Sequence, residues 1–216
     1  MHIHTRYEVS NNAGQDICDI VNNEGFDFLL VGSGISMSDS PDDIAATRYR
    51  TSFYNRYFKR FKAPESWFYP GALLKDKTKM FIARSNCDVG VFINRNFVKA
   101  TNTLVVISSE EDLFLLDYTR TLLKATHGSV GIVAKMSTTT PGHDQILKEL
   151  WDFVSSIPQT QLLPDKDLTP GLFNSYNFML IGYNTWNDVS EHRKEALQKM
   201  PSTLILNKNK RSSSDN

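Results

Sequence analysis

Phe26-Asp27-Phe28-Leu29-Leu30-Val31-Gly32 and Tyr176-Asn177-Phe178-Met179-Leu180-Ile181-Gly182 are the two stretches whose reading decides the fold. Each is a short apolar run that stops at glycine, too brief for a helix and bounded by turn residues. Runs of this kind are buried strands meeting tight turns, and near-continuous apolarity suits a sheet covered on both faces. The two share a pattern, aromatic-polar-Phe-x-Leu-(Val/Ile)-Gly, and also a setting. A helix precedes each, and a further helix and a strand follow. Two diverged copies of one lobe would produce this echo.

Working outward from the first run, Ile17, Ile20 and Val21 fall on one face of a helix from Asp16 to Glu24, with Gly25 as its stop. Asp42 to Phe61 has a helical period and reads as an amphipathic rod, ended by Pro64. Trp67-Phe68-Tyr69, between Pro64 and Pro70, reads as a loop that packs down. Leu74 to Arg84 reads as a helix and Val89–Ile93 as a strand.

In the second half, Leu104–Ile107, Val130–Ala134, Tyr176–Ile181 and Thr203–Leu206 read as strands. Glu110–Ala125, His143–Ser155 and Val189–Met200 read as helices, and Lys135–Gly142 and Gln159–Gly171 as loops. Strands alternating with helices of this length predict an α/β fold built from βαβ units on mostly parallel sheets. The expected organisation is a first lobe over residues 1–98, with an aromatic insertion at 42–71, and a second lobe over 99–206. Residues 207–216, with Lys208, Lys210, Arg211 and three serines, have nothing to bury and read as a disordered tail.

Charge excludes several classes of function. Lys plus Arg and Asp plus Glu both number 24, so no basic excess exists to draw in nucleic acid or an anionic membrane. Cys18 and Cys87 form neither a disulfide framework nor a zinc set. The longest apolar runs fall far short of the ~20 residues that span a bilayer, so the chain reads as soluble. No nucleophile elbow, metalloprotease motif or cysteine–histidine pairing appears, and no enzyme is expected.

Candidate binding residues come down to one turn. Gly32-Ser33-Gly34 follows a strand, where glycines free backbone N–H groups to meet a phosphate. No Gly-x-Gly-x-x-Gly is completed, and no Gly-Lys-Ser/Thr follows as a P-loop demands. A tight turn closing a buried strand is the plainer reading. ATP or AMP is therefore not an expected cofactor. A sugar-isomerase-type turn at Ser108-Ser109 is the other phosphate reading, but Glu110, Glu111 and Asp112 follow and would repel the anion. That acidic cluster reads as the first turn of a helix, facing the positive end of its dipole. Cys87 reads as a packing residue at the foot of a buried strand. Arg48, Arg50, Arg56, Lys59, Arg60 and Lys62 read as a solvated helical face, or as a docking surface for an acidic partner.

Set side by side, several segments resemble the cytosolic C-terminal regions of cation/proton antiporters of the CPA2 family. Ser85-Asn86-Cys87-Asp88-Val89-Gly90-Val91-Phe92-Ile93-Asn94-Arg95 is similar to the segment that ends the first lobe there. Asp16-Ile17-Cys18-Asp19 with the strand at Phe26–Val31 resembles a helix and strand of that lobe. Thr103–Ser109 with Glu111, Asp112 and Tyr118 resembles the opening of the second lobe, and Tyr176–Gly182 a strand near its end. The long insertion points to the fungal potassium/proton antiporter branch. The resemblance implies two universal-stress-protein-like, Rossmann-like lobes. It implies a regulatory domain that dimerises and contacts the membrane transport domain of the same protein, on the cytoplasmic side of an endomembrane such as the Golgi. It also implies that the transport machinery precedes Met1, because the first lobe is short at its start. The alternatives are a free-standing nucleotide-binding universal stress protein and a sugar-phosphate isomerase or sensor.

Overall fold

The computed structural model describes residues 13–32, 79–136, 139–164, 168–192 and 199–209. The rod at Asp42–Phe61, the aromatic loop Trp67–Tyr69, the basic cluster, and Ser33 and Gly34 lie outside them.

Helix α1 (Ala13–Glu24) leads into strand β1 (Phe28–Gly32). Gly25 closes the helix at φ +68°, a conformation that glycine adopts without a Cβ penalty. Residues 79–84 are helical (α2) and precede β2 (Asp88–Ile93). Then follow β3 (Asn102–Ile107), a 3₁₀ turn (Glu110–Asp112), α3 (Leu115–Thr126), β4 (Ser129–Ala134) and α4 (His143–Ser156). The chain continues through β5 (Thr160–Pro164), a one-turn helix α5 (Pro170–Phe173), β6 (Phe178–Gly182), α6 (Tyr183–His192) and β7 (Ser202–Asn207).

The expected mostly parallel α/β architecture is present. Among the described residues seven strands form one sheet, in the order β1-β2-β7-β6-β3-β4-β5. Every neighbouring pair is parallel except β2 with β7. The strands on either side of residues 95–103 thus share a sheet instead of forming two.

The register explains the echo in the sequence. Phe28 pairs with Asp88 in the first strand pair, and Phe178 with Ser202 in the second. Val91, three residues past Asp88, faces Ile205, three residues past Ser202, across the antiparallel ladder. The pairs β1–β2 and β6–β7 are therefore related by a two-fold passing through Val91 and Ile205. The two echoing runs are equivalent strands.

Because side chains alternate along strands, each strand feeds two faces. On one face Leu104, Val106, Met179, Ile181 and Ile205 pack under α5 and α6, through Phe173, Trp186 and Val189. Leu29 and Val89 continue that face under α1 and α2, through Cys18, Val21 and Phe81. On the other face Val105, Ile107, Ile132 and Leu180 pack under α3 and α4, through Leu115, Leu123, Ile146, Leu150 and Phe153.

Three readings of the sequence need correction. The stretch Gln159–Gly171 is not all loop, since β5 closes the sheet there and α5 begins at Pro170. β5 is an edge strand, and Pro164 at its end is tolerated because one side of the strand has no ladder to complete. The last helix begins at Tyr183, directly after β6, instead of at Val189. The C-terminal segment is ordered through Asn209, whose N–H donates to Asp88 Oδ1 at 2.7 Å.

Candidate functional site

Strands β3 and β6 lie side by side and parallel, and their chains leave toward opposite faces. β3 leads through the 3₁₀ turn to α3, whereas β6 leads directly into α6. Where neighbouring connections diverge like this, the strand ends border a crevice, and ligands of open α/β sheets sit in it.

Here the crevice is filled from within. The 3₁₀ turn brings Asp112 back over the end of the sheet, where it is 2% exposed. Its Oδ2 accepts from the Ser108 backbone N–H at 2.9 Å, from Ser108 Oγ at 3.1 Å and from Thr185 Oγ1 at 2.6 Å. Ser108 Oγ and Thr185 Oγ1 also lie within hydrogen-bond reach of each other, and since each hydroxyl has one proton, a bond between them takes the place of one of those to the carboxylate. Oδ1 lies over Gly182, where an added Cβ would overlap it. Three donors satisfy a buried carboxylate that would otherwise be costly to hold there. The acidic cluster is thus not the first turn of a longer helix. Its third member turns inward, and α3 starts separately at Leu115.

A groove of about 690 Å³ opens beside this plug. Glu110, Glu111, Asp117, Glu149 and Asp152 line it, with Arg120 and Lys208 as its basic members. Arg120 is engaged locally, 2.9 Å from Asp117 and 5.0 Å over the ring of Phe153. Asn184 donates to Glu111 at 2.8 Å, tying α6 to the turn. With Asp112 beneath and carboxylates around, the lining opposes a phosphate group. Among the described residues no group of three or more His, Cys, Asp or Glu is placed to hold a metal ion.

Gly32 occupies the place in β1 that Gly182 occupies in β6. It is exposed, and an added Cβ would meet nothing within 4 Å. β1 is an edge strand, so among the described residues Gly32 borders no crevice of the kind between β3 and β6. Ser33 and Gly34 lie outside the described residues. Ser108 and Ser109, the other phosphate reading, flank a turn whose space Asp112 already holds.

Cys87 is 5% exposed and packs with Cys18, Leu29 and Val89. Burial first, and then the charge of Asp88, push its thiol above the usual range and disfavour the nucleophilic thiolate. The neighbouring Asp88 forms a junction that sequence reading missed. Tyr118 Oη of α3 donates to Asp88 Oδ2 at 2.8 Å, and the Asn209 N–H holds the other oxygen. Asn209 Nδ2 donates further to the Ser85 carbonyl at 2.9 Å. One carboxylate thus joins α3, β2 and the segment after β7. No local signal announces it, because its members are distant in sequence.

Tyr118 carries a pH prediction. Burial, followed by the hydrogen bond and charge of Asp88, raises its phenol well above the ordinary 10.0. A group with a raised folded-state pKa stabilises the fold below its unfolded pKa, and loses that contribution as pH climbs toward the folded value. The denaturation midpoint should therefore fall as pH rises beyond about 10. Tyr118→Phe should show a shallower fall over the same window, although it starts lower from loss of the hydrogen bond. Parallel slopes for the two proteins would refute this assignment.

No family model matches the sequence, and no curated protein matches it. Solved structures do. A universal stress protein from Archaeoglobus fulgidus DSM 4304 superposes with a TM-score of 0.50 at 12% identity, covering 91% of this chain and 66% of that one. A functionally unknown protein from Pseudomonas aeruginosa PAO1 gives a TM-score of 0.47 at 11% identity, covering 91% and 68%. This chain thus spans just under two thirds of the archaeal protein. At such identity the likeness shows the fold, a universal-stress-protein-like α/β fold, and nothing of activity.

Proposed function

We propose that the chain is a non-catalytic regulatory domain of a potassium or sodium/proton antiporter. It acts by self-association and by contact with a membrane transport domain of the same protein, on the cytoplasmic side of an endomembrane such as the Golgi. The observation that carries the regulatory reading is the plugged crevice. A domain that used this fold to hold ATP would need the space between β3 and β6, which Asp112, Ser108 and Thr185 fill with their own hydrogen bonds.

The antiporter assignment rests on the segment Ser85–Arg95, and the structure gives that segment a role. Cys87 anchors the foot of β2, and Val91 sits on the two-fold. Gly90 leaves room for Phe28, Leu30 and Leu204 to close over the strand. Asn94 Oδ1 accepts from the Phe97 N–H, and the Arg95 N–H donates to Ser202 Oγ at 2.8 Å. The motif thus builds the seam between the two strand pairs. A seam of this kind can be biased by a partner that prefers one arrangement of the two halves, which is what allosteric control requires.

The second reading, a free-standing nucleotide-binding stress protein, is favoured by the fold itself. Transport separates the two. Ion-driven proton flux in vesicles carrying the native polypeptide should change its set point when Ser202→Lys disrupts the seam. A native polypeptide with no membrane-spanning part, or a flux indifferent to the seam, would overturn the antiporter reading.

A further inference from the structure

The two-fold that relates β1–β2 to β6–β7 makes each residue of β1 the counterpart of one in β6, from Phe28 and Phe178 to Gly32 and Gly182. Their sequences are alike, Phe-Leu-Leu-Val-Gly and Phe-Met-Leu-Ile-Gly. Their surroundings differ. Every residue of β6 is buried, whereas in β1 only Leu29 is. The widest gap is at the third position, where Leu30 is 57% exposed and Leu180 2%. β6 owes its burial to two neighbours that β1 lacks among the described residues. One is the parallel strand β3 along its edge, and the other is α3, which follows β3 and packs over Leu180. α3 does reach the first strand pair at its foot, where Tyr118 packs on Phe28 and donates to Asp88. That contact stops short of Leu30.

β1 therefore carries the sequence of an interior strand at the edge of the sheet. Natural edges are blunted by charge, proline or a bulge, and β1 has no charged residue and no proline. The opposite edge, β5, carries Gln161 and ends at Pro164. The Asp88 N–H donates to the Asp27 carbonyl at 3.2 Å, so by alternation Phe28 and Leu30 turn their main-chain groups away from β2. Among the described residues no strand meets them there.

We propose that this edge receives a strand from a partner polypeptide, added parallel to β1 and followed by a helix that closes over Leu30. The chemistry of that strand is read from β3, which holds the equivalent place beside β6. There Leu104, Val105 and Val106 pair with Met179, Leu180 and Ile181, so the partner offers an uncharged, β-branched run. Strand addition of this kind takes its affinity from main-chain hydrogen bonds and its specificity from alternate side chains. A second copy does not fit the place. Its own β1, brought up across a two-fold, would run antiparallel. Its β5 leads to α5, which packs on the face opposite Leu180.

Amide hydrogen exchange on the full chain, alone and with a strand-forming peptide, gives the decision. The probe is a synthetic peptide with the sequence Asn102–Ile107, flanked by lysines for solubility. The Phe28 and Leu30 amides should exchange fast in the chain alone. They should exchange about tenfold more slowly when the peptide stands at about ten times its half-saturating concentration. Amides of β5 should not respond, and the same peptide with proline at the position of Leu104 should give no slowing. Leu30→Lys, a change at an exposed position, should keep the wild-type melting temperature and lose the response. Fast exchange that millimolar peptide leaves unchanged, or slowing that the proline peptide reproduces, would overturn the proposal. So would exchange already slow in the chain alone, which would show the edge closed within the molecule. Slowing that grows with the chain's own concentration would overturn it in favour of a second copy.

Discussion

Gly182→Ala is expected to destabilise the protein by about 3 kcal/mol, because the new methyl group takes the place of the Asp112 carboxylate. Pushing that carboxylate aside strains or breaks its bonds to Ser108 and Thr185, and the charge is too buried for water to replace them. At this size each kcal/mol moves the melting temperature by roughly 2–4 °C, so a fall of about 6–12 °C should be seen. Backbone freedom is not the issue, since Gly182 lies in a regular strand and does not have a positive φ. A double-mutant cycle isolates the cause. Asp112→Ser removes the colliding atoms, so Gly182→Ala in that background should cost much less than in the wild type. Equal costs in both backgrounds would show that Asp112 and Gly182 are not coupled.

Trp186→Ala should cost about as much or more, on the order of 3–5 kcal/mol for emptying a large buried aromatic site. Trp186 is fully buried, at the centre of the cluster beneath α6 with Met179, Ile181, Val189 and Ile205. Its indole N–H has no hydrogen-bond partner among the described residues. A buried donor without a partner costs roughly 1–3 kcal/mol. Trp186→Phe therefore loses volume but also sheds that cost, and should be destabilising by well under half of Trp186→Ala. Chemical denaturation of the three proteins checks the ranking. If phenylalanine proves as damaging as alanine, the indole N–H is contributing a bond and the cavity argument is incomplete.

The fold was legible where burial on both faces writes itself as short apolar runs. β1, β2, β3, β4, β6 and β7 were all visible in this way, and the glycines that end β1 and β6 marked equivalent positions. β5 was not visible, because Thr160-Gln161-Leu162-Leu163-Pro164 is an edge strand that carries only two apolar side chains before its proline. The helical period of Glu110–Ala125 was read correctly for α3 but hid the break at Leu113-Phe114, since a 3₁₀ turn and an α-helix share most of their spacing. The plug was illegible for a different reason. Ser108 and Asp112 sit close together, but Gly182 and Thr185 reach them only through the pairing of β3 with β6. The same holds for Asp88 and Asn209, which meet because β2 and β7 are antiparallel neighbours, and for Tyr118, which reaches Asp88 from α3.

Calorimetric titration with ATP and AMP, on the wild type and on Gly34→Asp, tests the central claim most directly. The claim is that this domain, its crevice filled from within, binds no adenine nucleotide. Asp112 occupies the crevice between β3 and β6, and acidic side chains predominate in the groove beside it. A phosphate brought there would meet like charge in a site of low dielectric, and no described backbone cradle converges on it. The predicted result is no measurable binding heat at millimolar nucleotide for either protein. Micromolar binding by the wild type, abolished by Gly34→Asp, would contradict the account and place a nucleotide site at the turn after β1.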